Sequence, residues 1–239
     1  MPENPVLIIG GGPAGLEAAR GVADLGYPVT LVEKEDRLGG TPIHCDYAAL
    51  TPNLINAEEA MGAIVKKIEN DPLIDIRTST EITATNGNAP ELQVTLKGQS
   101  GEEQLNAGSV IVATGFKHFD PGKETQMYGY YEFDDVITLV DTERMLKAGK
   151  FVRPSTGEPP KQVCFIQCVG SRDRQIGNQW CSKVCCGIAS KEAIEIRHLL
   201  PECRVFVFYI DMRMYGVKHL IFKKQISPRT QQNTKHGPC

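Results

Sequence analysis

The stretch from Val6 to Lys34, "VLIIGGGPAGLEAARGVADLGYPVTLVEK", constrains the fold of this chain more than any other. Val6 to Ile9 is a β-branched and aliphatic run. The following "LEAARGVADLGY" sets Leu16, Ala19, Val22, Ala23 and Leu25 at roughly helical spacing, and "VTLVEK" is a second apolar run. The pattern predicts strand, turn, helix, strand. Gly10, Gly12 and Gly15 take the G-x-G-x-x-G positions, which permit a tight turn, close approach of backbone to a pyrophosphate, and close packing of helix on strand. The helix N-terminus then presents free N–H groups to the phosphates. Glu33, 23 residues after Gly10, ends the second strand where a ribose-binding carboxylate is expected. Motif, context and acid together predict a dinucleotide site.

The 239 residues suffice for one large or two small domains, and 41% hydrophobic with 23% charged residues is an ordinary globular composition. A formal charge of -3 gives no overall footprint for nucleic acid, although the tail after Gly216 is locally basic. No apolar run approaches the ~18 residues of a membrane span, and the opening segment lacks a basic leader and cleavage site, so a cytoplasmic protein is expected. Thiols are held reduced there, which favours ligand or redox roles for clustered cysteines over disulfide staples.

Beyond Glu33, "DRLGG" and then "VIVATG" at Val110 to Gly115 resemble the two-dinucleotide-domain flavoproteins of the thioredoxin-reductase and glutathione-reductase type. The resemblance implies an α/β fold and an FAD domain over residues 1–119. It also implies FAD contacts from Gly10, Gly12, Pro13, Ala14, Gly15, Glu33, Lys34, Gly39, Gly40, Thr41, Ile82, Ala113, Thr114 and Gly115. Members that carry a redox dithiol in this loop have it directly after G-G-T, five residues apart. Here those positions are Pro42 and Tyr47, with Cys45 alone between them. Further on, "EEAMGAIVKKI" is helical in pattern, while "DIRTSTEITAT" and "ELQVTLK" alternate as strands around the turn "NGNAP".

A second strand–turn–helix–strand unit follows: a strand over 162–169, a helix from Cys181 in "CSKVCCGIASKEAIEIRHLL", and the strand "RVFVFYI". Its first turn reads "CVGSRD", with Gly170 alone where a nicotinamide domain keeps three glycines. On such a helix Cys181 and Cys185 share a face, with Cys186 at its edge, and Cys168 at the strand end reaches the same helix start. Four thiolates so gathered suit tetrahedral zinc or an iron–sulfur cluster, and the spacing C-x12-C-x3-C-C with adjacent ligands favours the bulkier cluster. Cys164 and Cys203 read as small buried hydrophobes.

"FIQCVGSRD", "GNQWCSKVCCGIASKEA" and "YIDMRMYG" resemble the A-type subunit of heterodisulfide reductase. Together with "GGTPI" and "YAALTP" they resemble its sulfur-oxidation branch. That resemblance implies FAD plus a 4Fe–4S cluster on Cys168, Cys181, Cys185 and Cys186. It also implies a place among other subunits of a cytoplasmic complex, or as a homodimer. The expected order is then a connector over 120–161, a partial second α/β domain over 162–216, and a divergent tail over 217–239, the fold being incomplete at the C-terminus. Competing expectations are a pyridine nucleotide-disulfide oxidoreductase and a non-functional truncated remnant.

Overall fold

The structure is a computed structural model that describes residues 4–51, 53–122 and 128–214. The chain divides into two compact units, one comprising Met1–Asp46 and Asn56–Lys117, the other Tyr47–Ile55 and His118–Cys239. The expectation for the tail after Gly216, Cys239 included, lies outside the described residues.

The first unit opens with β1 (Val6–Ile9), α1 (Pro13–Asp24), β2 (Val29–Val32) and the single turn α2 (Thr41–His44). The chain leaves it through two short strands, β3 (Ala49–Leu50) and β4 (Ile55–Asn56). It returns as α3 (Ala57–Glu69), β5 (Ile74–Arg77), β6 (Glu81–Asn86), β7 (Leu92–Gly98), β8 (Gly101–Ala107) and β9 (Ser109–Val112). The parallel sheet runs β5-β2-β1-β9, with Val6 opposite Val29 on one side and Ser109 on the other. All four residues of β2 are buried, as a central parallel strand covered on both faces requires. The chain passes from β1 to β2 on one side and later reaches β9 on the other. This makes the carboxyl end of β1 a topological switch point, where α/β sheets bind ligands.

Leu16, Ala19 and Ala23 face the sheet from α1, whereas Leu25 lies past its end as the C-cap and is exposed. Asn56 caps α3 by accepting from Glu59 N–H, and Glu58 and Glu59 at its start with Lys66 and Lys67 at its end suit the helix dipole. "DIRTSTEITAT" divides at Ser79, whose φ of +48° turns the chain from β5 in the parallel sheet into β6 of an antiparallel meander β6-β7-β8. β8 carries no alternation in "GEEQLNA" because it is an edge strand with only Leu105 and Ala107 turned inward.

The second unit contains α4 (Leu139–Lys147), β10 (Gln162–Ile166), α5 (Cys185–Leu199) and β11 (Arg204–Phe208). α4 lies within the stretch read as connector and starts on a capping box between Thr138 and Asp141. β10 and β11 pair in parallel, and Phe165 and Val205 pack with Phe151, Ala189, Ala193, Ile196 and Cys203. Two sequence expectations are corrected here. β10 ends at Ile166 rather than at residue 169, because Cys168 takes φ +63° and turns the chain. Cys203 is buried as expected, but Cys164 lies on the outer face of β10 and is exposed.

Candidate functional site

The glycine turn is built by backbone contact. Gly10 has φ +109°, and a Cβ there would lie 2.4 Å from the Ala113 carbonyl oxygen. A Cβ on Gly15 would lie 1.8 Å from the Gly10 oxygen, so α1 sits on β1 at a distance only glycine allows. Ala113 N–H donates to Ile9 O at 2.8 Å, tying the end of β9 to the same turn, and Thr114 Cα borders Gly10. Gly12 is different: a Cβ would meet only Gly40 Cα, at 3.6 Å, which leaves the approach to the α1 N-terminus open. That terminus has Pro13 in its first turn, Ala14 after it, and no side-chain cap, so its first N–H groups remain for a ligand.

The loop after β2 folds over this turn. Gly39 N–H donates to Gly11 O at 2.9 Å, and Gly40, with φ +58°, packs so that a Cβ would lie 2.5 Å from Gly12 Cα. Thr41 then starts α2. Glu33 is 6% exposed, with one carboxylate oxygen accepting from Gly11 N–H at 2.6 Å and the other from Glu35 N–H at 2.9 Å. Each oxygen keeps a lone pair for a further donor. Lys34 points outward and pairs with Glu35. Ile82 packs in the meander core with Val94 and Leu96, and Gly115 closes the strand with φ +70°.

The cysteines gather differently from the sequence expectation. α5 begins at Cys185, and Cys181 precedes it in a bend where Lys183 takes φ +66°, so Cys181 and Cys185 do not share a helix face. A tight turn carries Cys181, and Lys183 N–H donates to its sulfur at 3.3 Å. Ser182 Oγ donates to Cys185 Sγ at 3.3 Å, Arg213 N–H to Cys186 Sγ at 3.4 Å, and Arg172 Nη1 lies 4.0 Å from Cys168 Sγ. Gly170, with φ +72°, turns against Phe119, whose ring leaves no room for a Cβ.

Cys185 is held down to about 5, first by a hydrogen bond from Cys186 and then by Ser182 and the Cys168 backbone, against the effect of burial. Cys186 is raised because its thiol donates to Cys185 and because it is buried. Burial raises Cys168, and Arg172 opposes that shift. None of the seven described cysteines forms a disulfide. Among the described residues no group of three His, Cys, Asp or Glu side chains could hold a metal ion.

Sequence reasoning missed a buried charge cluster in the same unit. Lys191 Nζ bonds both carboxylate oxygens of Glu143 and the Ala49 carbonyl at 3.0 Å, and lies 3.3 Å from Glu195 Oε2 and 5.7 Å from the Tyr47 ring centroid. Ala48 N–H donates to Glu143 at 3.0 Å. Glu192, fully buried beside them, has no donor to either oxygen, and burial raises it well above the usual carboxylate range, with Glu143 adding to the shift. The sequence carried no signal for it, because Lys191 and Glu195 at i,i+4 read as an ordinary surface ion pair.

A profile of the pyridine nucleotide-disulphide oxidoreductases matches residues 4–150. The chain is 30% identical over 302 aligned residues to the A-type subunit of the ferredoxin/F(420)H(2)-dependent CoB-CoM heterodisulfide reductase of Methanosarcina acetivorans, covering 88% of this chain and 37% of that protein. It is 30% identical over 293 residues to the iron-sulfur subunit, again of the A type, of the CoB–CoM heterodisulfide reductase of Methanocaldococcus jannaschii, covering 90% and 44%. The chain thus spans about two fifths of the length of these relatives. Both alignments exceed its own 239 residues, so the relatives carry insertions within the matched stretch. Thioredoxin reductase of T. acidophilum superposes with a TM-score of 0.53 at 17% identity, covering 92% of this chain and 61% of that one, a likeness of fold.

Proposed function

The chain belongs to the pyridine nucleotide-disulphide oxidoreductase family, and from that premise we propose that it is an FAD- and iron–sulfur-containing electron-transfer subunit of a heterodisulfide-reductase-like complex. The relatives named as A-type subunits of such reductases support the assignment and make the other subunits, or a second copy, its expected partners.

The first unit fits FAD. The free N–H groups of α1 at Ala14 and Gly15 and the open face of Gly12 bind the pyrophosphate beside Pro13, and Gly10 holds the turn. Glu33 uses its remaining lone pairs for ribose hydroxyls, with Lys34 beside it. Gly39, Gly40 and Thr41 line the flavin side, Ile82 borders the adenine through its backbone, and Ala113, Thr114 and Gly115 close the site. FAD, when bound, supplies hydride and single-electron chemistry.

Cys168, Cys181, Cys185 and Cys186 supply the donor chemistry of a 4Fe–4S cluster, although no three of them converge so as to hold a single metal ion. All four are thiols, and N–H or O–H donors reach the sulfurs of Cys181, Cys185 and Cys186. Such a cluster, when bound, passes electrons singly. A dithiol route through the loop after Gly40 lacks its sulfurs, since Pro42 and Tyr47 stand there. The sulfur-oxidation branch is supported by "GGTPI" and "YAALTP".

The reading rests on four thiols gathered at the turn where a nicotinamide domain keeps its glycines, with N–H and O–H donors on the sulfurs of Cys181, Cys185 and Cys186 and the Arg172 guanidinium beside Cys168. Anaerobic purification of the chain, followed by assay of flavin, iron and sulfide, tests it. Iron and sulfide with FAD are expected, and C185S is expected to lose the iron while keeping the flavin. Stoichiometric zinc without iron would refute the cluster.

A further inference from the structure

Asp211 lies 39 residues from Arg172 in sequence, yet its Oδ1 takes the Arg172 Nη1 hydrogen bond while Oδ2 accepts from Arg213 Nε at 3.0 Å. Arg213 is itself fixed at the cysteines, because its backbone N–H donates to Cys186 Sγ. Asp211 is thus braced from one side by a residue bonded to Cys186 and grips, on the other, the guanidinium that faces Cys168 Sγ. The same Arg172 nitrogen, Nη1, serves both Asp211 and Cys168. Arg172 takes φ +58°, and its N–H bonds Trp180 O, so the backbone beneath the guanidinium is also set. The Arg172 side chain is 18% exposed and Asp211 49%, which makes the cation the less screened of the two charges at the sulfurs.

We propose that Asp211 is a positioning residue of the cysteine site: it holds the Arg172 guanidinium against Cys168 and thereby sets how readily the group bound there accepts an electron. The inference rests on the cluster reading above. A cation close to a thiolate-ligated cluster stabilises the reduced, more negative state and raises its potential. An acid close to it does the reverse. The two ways in which Asp211 could act therefore predict opposite signs. If it acts through Arg172, removing its charge releases the cation and the potential falls. If it acts by its own charge, removal makes the potential rise.

The test is an EPR-monitored redox titration of the anaerobically purified full chain as wild type, R172Q, D211N and the double variant. R172Q and D211N are both expected to shift the midpoint potential downward, and D211N is expected to add nothing further in the R172Q background. An upward shift, or none, in D211N with iron retained overturns the positioning role and leaves the cluster reading intact. Should D211N fail to hold iron, D211E keeps the charge on a longer stem and displaces only its position. A downward shift then supports the proposal, and an unchanged potential overturns it. A wild-type chain without iron would instead remove the reading beneath it.

Discussion

Lys191 and Glu143 form an ion pair that is almost wholly out of solvent, with 2% and 1% of their side chains exposed. It joins α5 to α4, and through Ala48 N–H and Ala49 O it also fixes the segment that begins the second unit. Breaking such a pair on one side leaves a buried charge unanswered, which costs about 3–5 kcal/mol. K191M is therefore expected to lose stability of that order in urea denaturation, and K191M combined with E143L is expected to lose less than K191M alone. Equal losses would show that the pairing itself is not what the site needs.

Glu192 gives the same cluster a pH dependence. Burial, then the Glu143 charge, raises its carboxyl in the folded chain, so the folded state keeps a proton that the unfolded chain releases above the ordinary glutamate value of about 4.3. The unfolded state binds fewer protons in that window, and stability falls as pH rises from the unfolded value toward the raised folded one, by at most about 1.4 kcal/mol per pH unit. E192Q is expected to remove this slope, so its stability relative to wild type should grow as pH rises from about 4.3, the ordinary glutamate value, toward the raised folded value. A difference that does not change with pH would contradict the protonated form.

Two glycines of α1 separate contact from conformational freedom. A Cβ on Gly15 would meet the Gly10 carbonyl at 1.8 Å, whereas one on Gly21 would meet nothing within 4 Å. G21A is expected to stabilise the chain by about 0.5–1 kcal/mol, the ordinary gain of alanine over glycine in a helix. G15A is expected to push α1 off β1 and to abolish flavin retention, read as FAD content after gel filtration. Full flavin in G15A would remove the glycine turn from the binding site.

These contrasts also mark what was legible in the sequence. The glycine turn, α1, β2 and Glu33 could be read because backbone geometry dictates glycine at Gly10 and Gly15 and because β2 is apolar on both faces. The four cysteines could be found by spacing, but the placement of Cys181 on a helix failed. Periodicity does not register a single positive φ, here at Lys183. Lys191, Glu192 and Glu143 are charged residues on helices and look like a solvated face, and only the packing of α4 on α5 buries them. Asp211 carried no signal, since its partners lie 39 residues upstream and two residues downstream.

An iron–sulfur cluster at the cysteine turn, in place of a nicotinamide, is what the proposed function requires. EPR spectroscopy of the anaerobic, dithionite-reduced chain tests it most directly, with C168S, C181S, C185S and C186S measured beside the wild type. A cluster signal is expected in the wild type, lost or altered in each of the four variants and unchanged in C164S, whose sulfur lies on the exposed face of β10. A wild-type chain with no such signal, or one whose signal survives all four substitutions unaltered, would contradict it.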